Sequence, residues 1–464
     1  MTSVLLIYPF FRRRLDRSRF RFPPLGVAYV AASLQEAGHR VQLLDCTFLR
    51  RDDALRQALA AKAEVVGIYC MSTMMQDCLW FAQRLRGRCG LLVAGGPLPT
   101  CDPEAFLEHF DVVVRGEGEQ TMCEILAAHE SGADVNSVAG VVCRTRAGAD
   151  VRGTDSPANG TEPAAFRSPR PFASNLDEIP FPARQLLPNQ RYVRYGKKKY
   201  GYSITTVMST RGCPFRCEFC SNVVFGGSYR ERSPHNVVDE IEVALALGYD
   251  RISFADDVFT LNGRRVIEIC QEIGRRDLRF SWECLGRVDA FDHPTAQEMK
   301  RAGCFRIFFG IESGNDDILK LMNKQITTEQ ARTAVETAHR AGLEVGAFFI
   351  LCYPGETDDT VLDTLRFAGS LPLDYVGLTM PYPLPGTALS ERLADRNPRE
   401  WRQEGGLLLD HVLTFDADFS EAKMRFAILK GHAQFEMRRR LGRLAPLALR
   451  LFTTPTDKVF RLLR

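Results

Sequence analysis

Twice along this chain, short aliphatic runs alternate with stretches of helical spacing. Between the two series lies a segment in which both periodicities vanish. In the first series Val4–Tyr8, Val41–Asp45, Val65–Tyr69, Leu91–Ala94 and Val112–Arg115 read as strands. Leu25–Ala37, Asp53–Ala61, Met74–Arg86 and Gln120–Ala128 read as helices. This alternation restricts the fold severely. Successive strands can pair in parallel only through a crossover, and a helical crossover covers the sheet, so the pattern predicts an α/β, Rossmann-like, doubly wound sheet. Ligands of such sheets bind beyond the carboxyl ends of the strands.

The second series places strands at Ile204–Ser209, Ile252–Ala255, Phe280–Leu285, Arg306–Gly310, Val345–Leu351 and Val376–Met380. Six strand–helix units predict a partial (β/α)6 barrel of TIM type, with its site at the carboxyl ends of the strands. Ser233-Pro234 marks the start of its first long helix, serine as N-cap and proline in the first turn. Between the series, Gly148–Pro171 is rich in Ser, Gly, Pro, Ala and Thr and reads as a linker, with a hairpin expected at Val138–Thr145. The Asn159-Gly-Thr sequon there is taken as chance. The expected organisation is 1–135 Rossmann-like doubly wound sheet, 136–200 linker, 201–390 barrel and 391–464 helical, basic C-terminal region. In that last region Trp401–Asp410 and Ala422–Leu441 look amphipathic.

Length decides for several domains, since 464 residues exceed one ordinary core. Fourteen cysteines in a chain with no export-signal pattern point to reduced thiols and metal ligation, not a disulfide framework. Met1–Pro9 is too short and lacks the basic start of a signal peptide, so it reads as the first strand. No run approaches the ~18 apolar residues of a membrane span. The expected location is cytoplasmic. The net charge of +3 conceals an asymmetry: residues 423–464 carry eleven Lys/Arg against Glu436 and Asp457, which leaves the remainder acidic. Such a tail either packs beside the barrel or makes peripheral contact with an anionic membrane. No RNA-binding signature accompanies it, and no nucleic-acid partner is expected.

The chemistry concentrates in Arg211-Gly-Cys-Pro-Phe-Arg-Cys-Glu-Phe-Cys, which sets Cys213, Cys217 and Cys220 at C-x3-C-x2-C spacing. Three thiolates this close can hold three irons of a [4Fe-4S] cluster and leave the fourth open to a ligand. A structural zinc site is the alternative. It would want a fourth Cys or His nearby, and the nearest histidine is His235. Four further segments fall at successive strand ends: Phe254-Ala-Asp-Asp-Val-Phe-Thr-Leu-Asn262, Arg287-Val-Asp289, Gly310-Ile-Glu-Ser-Gly314 and Phe349-Ile-Leu-Cys-Tyr-Pro-Gly-Glu356.

With the cysteines, these segments resemble the radical S-adenosylmethionine (SAM) enzymes, in the subgroup that carries an N-terminal B12-binding domain. The resemblance extends to Pro23-Pro24-Leu25-Gly26, Ala37-Gly-His-Arg-Val-Gln-Leu-Leu-Asp45, Gly95-Gly-Pro-Leu-Pro-Thr100 and Arg115-Gly-Glu-Gly-Glu-Gln-Thr121. It implies a cluster held by Cys213, Cys217 and Cys220. SAM would be contacted by Phe219, Asp256, Asp257, Arg287, Glu312 and Ser313, with Gly310, Gly314 and Gly355 admitting close backbone approach. Cobalamin would lie against Ser72, Thr73, Gly95, Gly96, Gly116, Glu117, Gly118 and Glu119. Each site residue also has a structural reading: Asp256 or Asp257 as a helix cap, Glu312 in an ion pair.

The D-x-H-x-x-G cobalt-ligand motif is absent. His39, His109 and His129 lack its context. That absence is compatible with cobalamin held without a lower histidine, the reading favoured here, and it also permits a domain that has lost the cofactor. The other N-terminal cysteines show no C-x2-C pairing and read as core residues.

What the resemblance implies is C-methylation of an unactivated carbon in a small-molecule, lipid or natural-product substrate. One SAM would yield a 5′-deoxyadenosyl radical and methylcobalamin would carry the methyl, with a flavodoxin- or ferredoxin-type electron donor. Two other readings remain: radical SAM chemistry without methyl transfer, and a non-catalytic cobalamin or SAM sensor.

Overall fold

The computed structural model of the chain describes residues 1–11, 21–144, 170–396, 415–441 and 445–463. They form two compact units, Met1–Arg194 with Asn222–Gly226, and Tyr195–Ser221 with Gly227–Arg464.

In the first unit the aliphatic runs become β1 (Ser3–Tyr8), β2 (Arg40–Asp45), β3 (Val65–Tyr69), β4 (Leu91–Gly95), β5 (Val112–Val114) and β6 (Val141–Cys143). The sheet order is β2-β1-β3-β4-β5-β6. The pairs among the first five strands are parallel and β6 runs antiparallel to β5. The crossovers are α1 (Leu25–Glu36), α2 (Arg51–Ala60), α3 (Met75–Leu85), the short α4 (Pro97–Cys101) and α5 (Glu104–Leu107), and α6 (Gly118–Ser131). Val4, Leu6, Val65, Val93 and Val112 pack on Ile125 and Leu126 of α6. Each such burial contributes about 1.5–3 kcal/mol.

Among the described residues 138–144 the expected hairpin is not seen, and Thr145 lies outside them. Val142 pairs instead with Val113, because the free edge of β5 offers a ready ladder that a three-residue strand can complete. Chain order reverses between β1 and β3, the switch point at which doubly wound sheets open a crevice.

The helix α7 (Asn189–Tyr200) leads into the second unit. There β7 (Ile204–Val207), the two-residue strands β8 (Thr210–Arg211) and β9 (Arg230–Glu231), α8 (Pro234–Ala246), β10 (Arg251–Phe254), α9 (Gly263–Arg275), β11 (Ser281–Gly286), α10 (His293–Arg301), β12 (Cys304–Glu312), α11 (Asp316–Leu321), α12 (Thr328–Arg340), β13 (Glu344–Ile350), α13 (Asp358–Ser370), β14 (Tyr375–Thr379) and α14 (Ala388–Arg392) follow in order. Six strands pair in sequence, β7-β10-β11-β12-β13-β14, all parallel. This is the partial barrel.

Ser233 caps α8 as expected, its hydroxyl accepting from the Asn236 amide at 3.2 Å. Alternate strand residues (Ile252, Trp282, Ile307, Val345, Phe349) are buried among Val237, Ile269, Met299, Val335 and Leu362 of the helices. The intervening residues therefore face the concave side.

Beyond β14, the helix Glu421–Leu441 buries Met424, Ala427 and Ile428 in the barrel core, and the helix Ala445–Leu462 adds Phe460. Gly431 permits the approach: a Cβ there would lie 2.4 Å from a Leu378 methyl. Tail cations find acids, Lys423 with Asp358 and Lys430 with Asp457, both at 2.8 Å. The tail thus packs beside the barrel. The helix expected at Trp401–Asp410 and the Asn159 sequon lie outside the described residues. Among those residues no helix is long and apolar enough to cross a membrane.

Candidate active site

The cysteine loop leaves the carboxyl end of β7. The strands β8 and β9 pair antiparallel, Thr210 with Glu231 and Arg211 with Arg230, and staple the two ends of the loop. Asp256 secures the entry. It is fully buried and accepts from the amides of Ser209 (2.6 Å) and Thr210 (3.1 Å) and from the Ser209 hydroxyl. Its oxygens are committed to the loop, so the structure gives it a positioning place rather than an open face toward SAM. Asp257 also braces the loop, through the Gly212 amide. Burial and then the Asp256 charge push its carboxyl up.

The far end of the loop is clamped by segments distant in sequence. The Glu218 amide donates to the Met322 carbonyl and the Leu389 amide to the Glu218 carbonyl, each at 2.9 Å. Asn323 donates to the Arg216 carbonyl at 2.7 Å. The Glu218 carboxylate is held by Arg392 of α14 (2.5 and 3.0 Å) and by the Tyr353 hydroxyl (2.6 Å). The Tyr353 ring meets Phe219 edge-on at 6.5 Å. Phe219, directly before the last cysteine, packs beside Ile318, Met322 and Ile350.

Burial pushes the Cys213 thiol up. The Cys220 thiol is pushed up to about 12, first by desolvation and then by the neighbouring cysteines. A cation is what would favour their thiolates. Among the described residues no three His, Cys, Asp or Glu are gathered as a single-ion cage. Each cysteine of a cluster site binds a different iron, so its sulfurs stand farther apart than the ligands of one ion.

Across the mouth, β12 is irregular where Gly310 and Glu312 shift register against β13. Glu312 has φ +74°, a left-handed conformation uncommon for a non-glycine residue and a mark of stored strain. Its buried carboxylate pairs with buried Lys324 at 3.1 Å. Gly310 makes room for the pair: a Cβ there would lie 2.6 Å from a Glu312 oxygen and 3.1 Å from the Lys324 amine. Lys324 also stands 5.8 Å from the Phe219 ring centre, so it links the strand motif to the cysteine loop.

Arg287 is buried with its guanidinium already engaged. It pairs with Asp289 through two bonds of 2.9 Å, donates to the Lys324 carbonyl at 3.1 Å and stacks on the Phe215 ring at 3.4 Å. Ser313 is fully buried, its hydroxyl 3.0 Å from that of Thr364 on α13. At Gly314 a Cβ would strike Phe367 at 2.4 Å, so that glycine serves helix packing. Gly355 has φ +98° and donates to Asp418 at 2.9 Å. Lys324, Phe215, Glu218, Tyr353 and Arg392 escaped the sequence reading. Phe215 and Glu218 lie inside the cysteine run, Tyr353 inside the Phe349–Glu356 segment and Lys324 close after the Glu312 motif, so each carried a signal that could have found it, and Arg392 carried none.

In the first unit the candidate cobalamin residues occupy the carboxyl ends of β3, β4 and β5. Ser72 and Thr73 form a one-turn 3-10 helix after β3. Gly96 has φ +109°, and a Cβ would meet the Cys70 carbonyl at 2.7 Å, so its need for glycine is internal. A Cβ on Gly118 would press on Val30 of α1 at 3.2 Å. Glu117 is buried and accepts from the Ala173 amide at 2.9 Å. The Gly116 amide donates to the Thr100 hydroxyl at 3.1 Å, and Glu119 lies in the first turn of α6. A cleft of about 90 Å³ beside Arg115, Gly116 and Phe172 is too small for a tetrapyrrole. Open space exists instead at Gly26, where a Cβ would meet nothing within 4 Å, and at Gly95, where it would meet only Val114 at 3.8 Å.

The residues present therefore fit the expected groups. Three thiols sit on one clamped loop for a cluster. A buried acid–base pair and Asp257 border it for SAM. Gly26, in the first turn of α1, and Gly95, at the end of β4, adjoin open space on the side where a corrin would lie.

The family model described as the radical SAM superfamily matches residues 207–368, and that of the B12 binding domain matches residues 14–126. An uncharacterized methyltransferase of Pyrococcus horikoshii is 35% identical over 82% of this chain and 81% of its own length. The anaerobic magnesium-protoporphyrin IX monomethyl ester cyclase of Rubrivivax gelatinosus is 29% identical over 85% of this chain and 70% of its own. The fold is similar to that of the radical SAM methyltransferase TsrM of Kitasatospora setae, solved with cobalamin and a [4Fe-4S] cluster. The TM-score is 0.69 at 21% identity, over 85% of this chain and 75% of that one.

Proposed function

We propose that this chain, which belongs to the B12-binding-domain branch of the radical SAM superfamily, methylates an unactivated carbon of a small molecule. It is an enzyme of the cobalamin-dependent radical SAM methyltransferase type, and its cofactors are a [4Fe-4S] cluster, SAM and cobalamin. When bound, the cluster and SAM supply a 5′-deoxyadenosyl radical and cobalamin supplies a transferable methyl group.

The remaining tasks fall to the chain's own residues. Cys213, Cys217 and Cys220 would hold the irons. Lys324 offers a cation to the SAM carboxylate, and Glu312 an acceptor to its ammonium or ribose hydroxyls. Asp257 borders the same space, and Phe219 gives it an apolar wall. Asp256 and the Glu218–Arg392–Tyr353 clamp keep the loop in register with these groups. Ser72, Thr73 and the loops Gly95–Gly96 and Gly116–Glu119 would line the corrin or its tail. An electron donor of flavodoxin or ferredoxin type completes the scheme.

One observation carries the reading. The cysteine loop is fixed from both sides at the carboxyl end of a partial barrel, opposite the buried Glu312–Lys324 pair, in a chain that also carries a B12-binding sheet. The similarity to a cyclase supports a second reading, radical chemistry without methyl transfer. Anaerobic turnover of the loaded protein with SAM, a low-potential reductant and its substrate separates the two. Methyl transfer predicts both S-adenosylhomocysteine and 5′-deoxyadenosine. 5′-Deoxyadenosine alone would favour the second reading, and neither product would contradict both.

A further inference from the structure

The concave face of the barrel carries an unusual pair of residues. Leu285 is 36% exposed and Phe348 39% exposed, whereas Cys284 and Phe349, next to them on the same strands, are 2% and 0% exposed. In a closed barrel the inward residues pack against one another in layers. Here large apolar side chains on the inner face are left open to solvent.

Their arrangement is ordered. Phe308 of β12 lies in register with Gly346 of β13, and Phe348 of β13 with Gly377 of β14. A Cβ on Gly346 would lie 2.3 Å from the Phe308 ring, and one on Gly377 2.6 Å from the Phe348 ring. Each phenyl therefore lies flat over the bare backbone of the next strand, a cross-strand aromatic–glycine pairing. The two rings are nearly parallel, 17° apart with centres 5.4 Å from each other, and Leu285 pairs with Phe308 on the other side.

The layers above and below bound this pavement. Beneath it, Arg306 reaches Glu344 at 2.6 Å and Glu283 at 3.6 Å, closing the amino-terminal end with charge. At its upper edge, level with Phe348, its register partner Gly310 is covered by the Glu312–Lys324 pair. The open apolar surface thus adjoins the groups assigned to SAM.

We propose that Phe308, Phe348 and Leu285 form the substrate floor, and that they select a substrate with an uncharged, planar π-system at or beside the carbon that reacts. The assignment rests on the functional reading above. Flat rings present π faces, which favour offset stacking of another flat ring over contact with a puckered aliphatic one. The charge nearest the pavement, Arg306 at 5.6 Å from the Phe308 ring centre, is already paired with Glu344 and Glu283, so a charged group placed there would be desolvated without a partner of its own.

The test uses the anaerobically prepared full chain with cluster and cobalamin, and two neutral probes of similar size, indole and cyclohexanol. Binding is read by ligand-observed NMR in wild type, in Phe348→Leu, which keeps apolar volume but removes the π face, and in Gly377→Ala, which displaces the ring. Cluster content by absorbance controls for folding. The expected result is preferential binding of indole by wild type, weakened about fivefold in both variants as loss of one aromatic contact predicts, with cyclohexanol little changed. Equal indole binding by wild type and Phe348→Leu, or equal affinity of wild type for the two probes, would overturn the proposal. A wild type that binds indole selectively yet forms no S-adenosylhomocysteine during turnover of its substrate would overturn methyl transfer and leave the floor standing.

Discussion

The two strand-end mouths of this chain are built on the same principle and carry different information. At the barrel mouth, buried charges converge. Asp256 anchors one side of the cysteine loop, the Glu218–Arg392 pair anchors the other, and Glu312 and Lys324 face the space between. At the mouth of the first sheet the distinguishing residues are mostly glycines, and the structure divides them. Gly96 and Gly118 are demanded by neighbouring protein atoms, while Gly26 and Gly95 adjoin open space. A buried charge must have a partner, so its environment reveals what it does. A glycine reveals only that something is close, and that something is as often the protein as a ligand.

The largest difference between the two mouths is expected at the cysteines. Cys217→Ala should abolish 5′-deoxyadenosine formation while leaving cobalamin bound, measured by product chromatography and the corrin absorbance. Loss of both would mean that the two mouths are not independent. Next in size is Lys324. Lys324→Ala should weaken SAM binding roughly tenfold, as loss of a charge-assisted contact does, by equilibrium dialysis. It should also destabilise the fold by leaving Glu312 buried without its cation. The double variant Glu312→Gln/Lys324→Met should recover stability and not SAM affinity, which separates the two roles.

A third effect lies at Glu356, below Tyr353. Burial raises its carboxyl from 4.5 to about 7, against the lowering effect of the Tyr353 amide at 2.8 Å. An acid whose folded-state value is raised holds its proton longer in the native state. It therefore costs stability progressively as pH rises from about 4.5 to about 7, with no further change above. Glu356→Gln should remove that slope and gain up to about 3 kcal/mol above pH 7 in denaturant titrations at several pH values. A wild-type slope retained in the variant would assign it elsewhere. The smallest effects discriminate among the glycines. Gly118→Ala should cost about 1 kcal/mol of stability with cobalamin uptake unchanged. Gly95→Ala should leave stability alone and reduce uptake. The reverse pattern would invert the division drawn above.

Most of the architecture was legible in the sequence because it rests on local periodicity. All eleven expected strands formed within a residue or two, since each apolar run is buried as a unit and bounded by turn residues. The cysteine loop was legible because its ligands are adjacent in the chain. What escaped was whatever depends on register or distant partners. The segment at Val141 found β5 about thirty residues away instead of folding on itself. Glu218 meets Arg392 across 174 positions. Arg287 and Ser313 stand in recognisable motifs, yet Asp289 and Thr364 take their polar groups, because a motif fixes residue type and not which way the side chain is spent. The aromatic floor was invisible for the same reason: Phe308 and Gly346 become a pair only when two strands align.

Metal content tests most directly whether one chain holds two separable cofactor sites. Protein prepared anaerobically with cobalamin should hold about four irons and about one cobalt per chain, and the triple variant Cys213→Ala/Cys217→Ala/Cys220→Ala should lose the iron and keep the cobalt. Iron retained in the triple variant, or wild type without cobalt, would contradict the presence of two such sites.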